Sequence, residues 1–178
     1  MYNLGDQFTF DYSKAIANKE NIIQGDKYRF TVLSERLIRI EYSEEGFFEN
    51  RPTELVWYRN MPPVKFEKSE DSKYLQIKTK YFELNYVKNK SFAGSKLNPT
   101  ANLNVKLLNT DRVWYYNHPE VRNYGAPSFS LDDNVGDPKL QKSLYSVDGF
   151  VSIDDCNTNV FTESGVLEKK ESNSKDAG

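Results

Sequence analysis

The run YRFTVLSERLIRIEY, Tyr28 to Tyr42, decides the fold. Tyr28, Phe30 and Val32 alternate with Arg29 and Thr31, and Ile38, Ile40 and Tyr42 alternate with Arg39 and Glu41. Successive side chains of a strand point to opposite faces, so an apolar period of two reads as a half-buried strand. Ser34-Glu35 is a short polar break between the two runs. The stretch therefore predicts a hairpin with one face buried and one wet.

The same signature extends in both directions. Phe8 and Phe10 flank Thr9, and Leu55 to Arg59 and Val64 to Lys68 are further candidate strands. Glu70-Asp71-Ser72 reads as a turn, followed by Leu75 and Ile77, then Phe82, Leu84 and Tyr86. Leu103, Val105 and Leu107 alternate, Val113 to Tyr116 is a short aromatic run, and Phe150, Val151 and Ile153 close the series. Roughly eight to eleven short strands predict an all-β, mostly antiparallel β-sandwich. Tyr12 to Lys19 lacks a full apolar face and supports at most a helical turn.

Residues 1–167 read as one domain and 168–178 as a polar tail. Two stretches are loop-like, Lys90 to Ala101 and His118 to Pro138. A loop of about twenty residues without a period usually has a function. Tyr42, Phe150 and Ile153 are expected in the core. Phe47, Phe48, Trp57, Trp114 and Tyr115 are candidates for an exposed apolar patch or for the core.

Composition excludes several classes. The chain has 178 residues, 38% hydrophobic and 28% charged, and a formal net charge of −2. That balance is globular, and without a basic stripe it argues against a nucleic-acid partner. No apolar run approaches the ~20 residues that span a bilayer as a helix. The N-terminus has no signal pattern, and the single Cys156 forms no intrachain disulfide, so a reducing, cytoplasmic setting is expected. The 12 Tyr and 11 Phe suit half-buried strands, and such rings also stack on sugars.

The chemistry-bearing residues are few. A hydrolytic triad needs a base beside a nucleophile and an orienting acid, and His118 has no evident partner. One His and one Cys cannot close a zinc site, and no glycine-rich loop joins a strand to a helix. No metal and no cofactor is expected. Two acidic pairs remain, Asp132-Asp133 in the long loop and Asp154-Asp155 after the last strand. Adjacent strand residues point apart, so neither pair suits two carboxylates facing one substrate. Asp154-Asp155 reads as turn-capping.

Three stretches carry a family resemblance. SLYSVDGFVSIDD, Ser143 to Asp155, resembles the signature that closes the N-terminal β-sandwich of glycoside hydrolase family 31. Leu144, Ser146, Asp148, Gly149, Ile153, Asp154 and Asp155 match, while Phe150 and Cys156 replace the usual Trp and Ser. YRFTVLSERLIRIEYSEEGFFENRPTELVWYRN, Tyr28 to Asn60, is similar to the family's hairpin and the RPT stretch after it. RNYGAPSFSLDD, Arg122 to Asp133, resembles a family loop at Asn123, Gly125, Leu131 and Asp132, although its Thr-x-Arg-Thr run is replaced.

The resemblance implies a galactose-mutarotase-like sandwich, the non-catalytic front end of a retaining α-glucosidase. Such enzymes carry nucleophile and acid/base aspartates on a (β/α)₈ barrel. No nucleophile motif of the barrel type occurs here, so the chain itself is expected to hold no catalytic residue. The missing barrel would be its partner and an α-linked oligosaccharide the parent's substrate. By motif match Asp132 would bind the sugar, through hydrogen bonds strengthened by its charge. A stand-alone carbohydrate-binding module and another activity of the family, such as α-xylosidase, are the alternatives. A mutarotase would need paired histidines with a Glu.

Overall fold

The computed structural model describes residues 11–88, 90–127, 136 and 140–170. The all-β expectation holds, with antiparallel sheets. Two 3₁₀ turns, Tyr12–Lys14 and Lys19–Asn21, stand where one helical turn is expected. Asp11 and Asn18 cap them by accepting from the amides of Ser13 and Glu20.

The chain divides into two compact units. The first takes in the residues up to Lys68, Lys78–Tyr81 and the stretch from Asp154 onward. Its sheet orders β1 (Ile22–Gln24), β2 (Tyr28–Ser34) and β3 (Leu37–Tyr42). The predicted hairpin is the β2–β3 pair, antiparallel from Tyr28 opposite Tyr42 to Ser34 opposite Leu37, with a register shift between Val32 and Ser34. Phe30 and Val32 are fully buried, and Ile23, Tyr28 and Tyr42 nearly so.

The expected wet face of this hairpin is not wet. Arg29, Thr31 and Glu41 are also buried, so β2 is covered on both sides. The alternation of residue type is real, but the polar positions carry ion pairs rather than water.

The second unit takes in Ser69–Ile77 and Phe82–Ile153. A five-stranded sheet runs in the order β4 (Glu67–Glu70), β5 (Tyr74–Lys78), β6 (Phe82–Val87), β7 (Leu103–Leu107) and β8 (Val113–Tyr115). Its buried face holds Leu75, Ile77, Phe82, Leu84, Tyr86, Leu103 and Val105. Burial of each large apolar side chain stabilises by about 1.5–3 kcal/mol. Phe92 meets Tyr86 and Tyr116 edge-on at 5.2 and 5.5 Å between ring centroids. The edge strand β4 exposes all four of its residues, and its charges guard the open edge.

Two short pairs complete the inventory among the described residues: β9 (Ala126–Pro127) with β10 (Leu140–Gln141), and β11 (Val160–Phe161) with β12 (Leu167–Glu168).

Several expected strands differ. Leu55–Arg59 is irregular because its backbone bonds elsewhere: Val56 N–H to Thr53 O, and the amides of Arg59 and Asn60 to Lys14 O. Pro62 and Pro63 offer no ladder donors, so the next strand begins at Glu67 rather than Val64. Residues 150–153 form no strand; the Ser152 amide donates instead to the Glu120 carboxylate at 3.0 Å. Ile153 is 53% exposed and not core, Phe150 is half-buried, and Tyr42 is core as expected. Phe8 and Phe10 lie outside the described residues.

Candidate functional site

Asp132 and Asp133 lie outside the described residues, as does most of 128–139. What the structure describes are the flanking segments, 118–127 and 140–147, entirely within the second unit. Tyr124 N–H donates to Tyr145 O at 3.0 Å, Val147 N–H donates to Arg122 O at 3.1 Å, and Asn123 bridges antiparallel to Ser146. Further along, Ala126–Pro127 pairs with Leu140–Gln141. Asn123 locks these segments by donating to Ser143 O at 2.8 Å and accepting from the amides of Gly125 and Ser143 at 2.9 Å.

This ladder displays apolar side chains to solvent. Val121 is 83% exposed, Tyr124 68%, Leu144 73% and Tyr145 75%, with Leu140 and Val147 also exposed. The backbone bonds set Tyr124 beside Tyr145. Several exposed apolar side chains on one short ladder make it a candidate interaction site. Sequence reasoning missed it. Val121, Tyr124, Leu144 and Tyr145 interrupt a polar, proline-containing stretch, and that was the only signal. Of the residues put forward from sequence, Phe47 and Trp57 are exposed, while Phe48, Trp114 and Tyr115 are half-buried.

The resemblance residues of this stretch have local work to do. Ser146 Oγ accepts from Asp148 N–H at 3.1 Å, and Gly149 N–H donates to Ser146 O. Gly149 has φ +76°, which favours glycine. Asp148 takes ion pairs from Arg122 at 3.1 Å and Arg112 at 3.5 Å. Glu120, Lys142 and Ser152 form a clamp nearby, with Lys142 Nζ 2.8 Å from Glu120 and 2.9 Å from Ser152 Oγ.

A second constellation lies in the first unit. Arg29 grips Glu41 with two bonds of 2.7 and 2.8 Å, and it donates to Asn50 Oδ1 and to Glu49 O. Arg39 donates to Glu41 at 3.1 Å and pairs with Asp155, which also accepts from Thr53 Oγ1 at 2.9 Å. Gly46, with φ +75° and only 2.7 Å between a would-be Cβ and Asp26 O, turns the chain after β3 toward Glu49 and Asn50. Burial pushes the Glu41 carboxyl up, but hydrogen bonds from Arg29 and the charge of Arg39 outweigh it and hold it below the usual range. Burial likewise raises Glu49, and the bonds from Arg51 more than offset this.

Arg59 is the misfit of this cluster. It is 3% exposed, its Nη1 reaches Glu49 O at a long 3.4 Å, and among the described residues its Nε and Nη2 have no partner. Burial first, and then the charge of Arg39, push it down to about 10.

The acidic pair after the last expected strand divides. Asp154 is the turn cap expected of it, accepting from Cys156 N–H at 2.9 Å. Asp155 is more than a cap, since it anchors Arg39 and Thr53 as well as Thr158 Oγ1. His118 is a turn residue whose amide donates to Tyr115 O, and its ring meets that of Tyr115 edge-on. Among the described residues no group of His, Cys, Asp and Glu could hold a metal ion, and no helix is long and apolar enough to cross a membrane. No family model matches the chain, and no curated protein matches it either.

Proposed function

We propose that this chain is a non-catalytic β-domain that docks on a catalytic (β/α)₈ barrel and lends its long loop to a sugar pocket, as the front end of an α-glucosidase-like glycoside hydrolase. The observation that carries the reading is the exposed apolar ladder of 121–127 and 140–147. An aromatic and aliphatic surface at the root of a long loop is what a docking edge requires. It also sets the loop where it borders the partner, so that Asp132 could reach a substrate held there.

The buried cluster gives further support. Arg39 and Glu41 come from the hairpin, Asn50 and Thr53 from the ENRPT stretch and Asp155 from the IDD stretch. Two of the three stretches that resemble the glycosidase family, 28–60 and 143–155, thus meet in one network of the first unit, the latter through Asp155. Residues that must pair across more than a hundred positions explain why such motifs would recur together. The parent would act on terminal α-linked glucose; an α-xylosidase would share this front end.

Hydrogen exchange tests the docking. Backbone amides of 121–127 and 140–147 should exchange slowly in the product of the complete reading frame and fast in the 178-residue chain. Equal exchange in both would remove the docking edge.

A further inference from the structure

The five-stranded sheet has a second face, and its composition differs from that of the loop edge. Along β5, β6 and β7 the buried residues alternate with Gln76, Asn85 and Asn104, each half-buried. Asn85 stands directly opposite Asn104 in the β6–β7 register. Gln76 Nε2 donates to Asn85 Oδ1 at 3.0 Å, so the three amides form one row across three strands. Asn104 stands opposite Tyr115 of β8, which continues the row. At about 4.8 Å per strand, the row from Gln76 to Tyr115 is about 14 Å long.

The amides line a groove of about 420 Å³ together with Ser69, Asp71 and Tyr74. Tyr74 is 49% exposed. Asp71 is a charged group at the groove wall, and its Oδ1 already accepts from the amides of Lys73 and Tyr74, at 2.7 Å each. The row itself is uncharged and rich in both donors and acceptors, because each amide offers two N–H groups and a carbonyl oxygen. Gln76 and Asn85 spend part of that capacity on each other and on Glu83, whereas among the described residues the Asn104 side chain has no hydrogen-bond partner.

We propose that this groove is a binding site for an uncharged oligosaccharide, distinct from the loop edge. The row carries no cation to compensate a phosphate or a carboxylate, and the Glu83 carboxylate bonded to Asn85 and Asp71 at the wall would repel one. A floor of amides offers little to an apolar ligand. Hydroxyl groups, which both donate and accept, match a row of amides, and a sugar ring can lie against the half-exposed Tyr74, whose ring also meets Lys73 Nζ at 5.0 Å from its centroid. The site follows from the amide row alone, so its failure leaves the docking edge standing.

Maltoheptaose, cellohexaose and xylohexaose, each titrated to millimolar concentration into the isotope-labelled 178-residue chain, provide the test. At least one should shift the side-chain amide signals of Gln76, Asn85 and Asn104 saturably. Asn104→Ala should weaken that binding roughly fivefold, the loss of one hydrogen bond, with thermal unfolding unchanged. Tyr74→Ala should weaken it by a similar factor. No saturable shift with any of the three sugars overturns the proposal. So does binding that survives both substitutions, or a neutral extended peptide that shifts the same amides while the sugars do not.

Discussion

Arg59→Met asks whether the buried cluster carries one cation too many. Arg29, Arg39 and Arg59 stand with Glu41 and Asp155, and only the first two arginines have charged partners in contact. Two buried N–H groups of Arg59 have no acceptor among the described residues, and each such group costs about 1–3 kcal/mol. A guanidinium pushed down to about 10 corresponds to about 3 kcal/mol against its charged form at neutral pH. Met keeps most of the volume and removes the charge, and the bond lost is the 3.4 Å contact with Glu49 O. Arg59→Met should therefore raise the unfolding free energy by about 1–3 kcal/mol, as when other buried ions are replaced by apolar side chains. Arg29→Met is the control: it strips Glu41 of a bidentate partner and should cost about 3–5 kcal/mol. Urea unfolding at pH 7, followed by the fluorescence of Trp57 and Trp114, reads both. A loss of more than about 1 kcal/mol in Arg59→Met would mean instead that the guanidinium has a favourable partner.

Three further outcomes are expected. Glu41 and Glu49 are held below the usual carboxylate range when folded, so their contribution is complete above the unfolded value near pH 4.3 and is lost as pH falls through the folded values; acid titration of stability should show this fall, and Glu41→Gln should flatten it. Asp155→Ala should cost about 1.5–3 kcal/mol by removing one of Arg39's two carboxylate partners and the acceptor of Thr53, whereas Asp154→Ala should cost about 1 kcal/mol or less; equal losses in thermal unfolding would contradict the division of that pair. Asp132→Ala in the proposed full-length enzyme should lower kcat/KM at least tenfold, about the value of one charge-assisted hydrogen bond, with stability nearly unchanged; an unaltered kcat/KM would remove its role.

The hairpin was legible because β2 and β3 alternate cleanly, and the register pairs Phe30 with Ile40 and Val32 with Ile38 as the pattern requires. The same pattern misled about the opposite face. Arg29 and Glu41 read as wet, and their burial depends on Asn50, Glu49 and Asp155, which are distant in sequence and invisible to any short window. Leu55–Arg59 misled in the reverse sense: its residues suit a strand, but Lys14 O takes two of its amides. At the candidate site, the apolar ladder was not legible in the sequence. Exposure of Tyr124 and Tyr145 is set by pairing between segments some twenty residues apart, which composition cannot express.

The most direct test of the central claim compares two proteins on p-nitrophenyl α-glucoside: the 178-residue chain alone and the product of its complete reading frame. The account expects no turnover by the chain and steady release of nitrophenol by the full product. Turnover by the isolated chain, or none by the full product on this substrate or its α-xyloside, would contradict it.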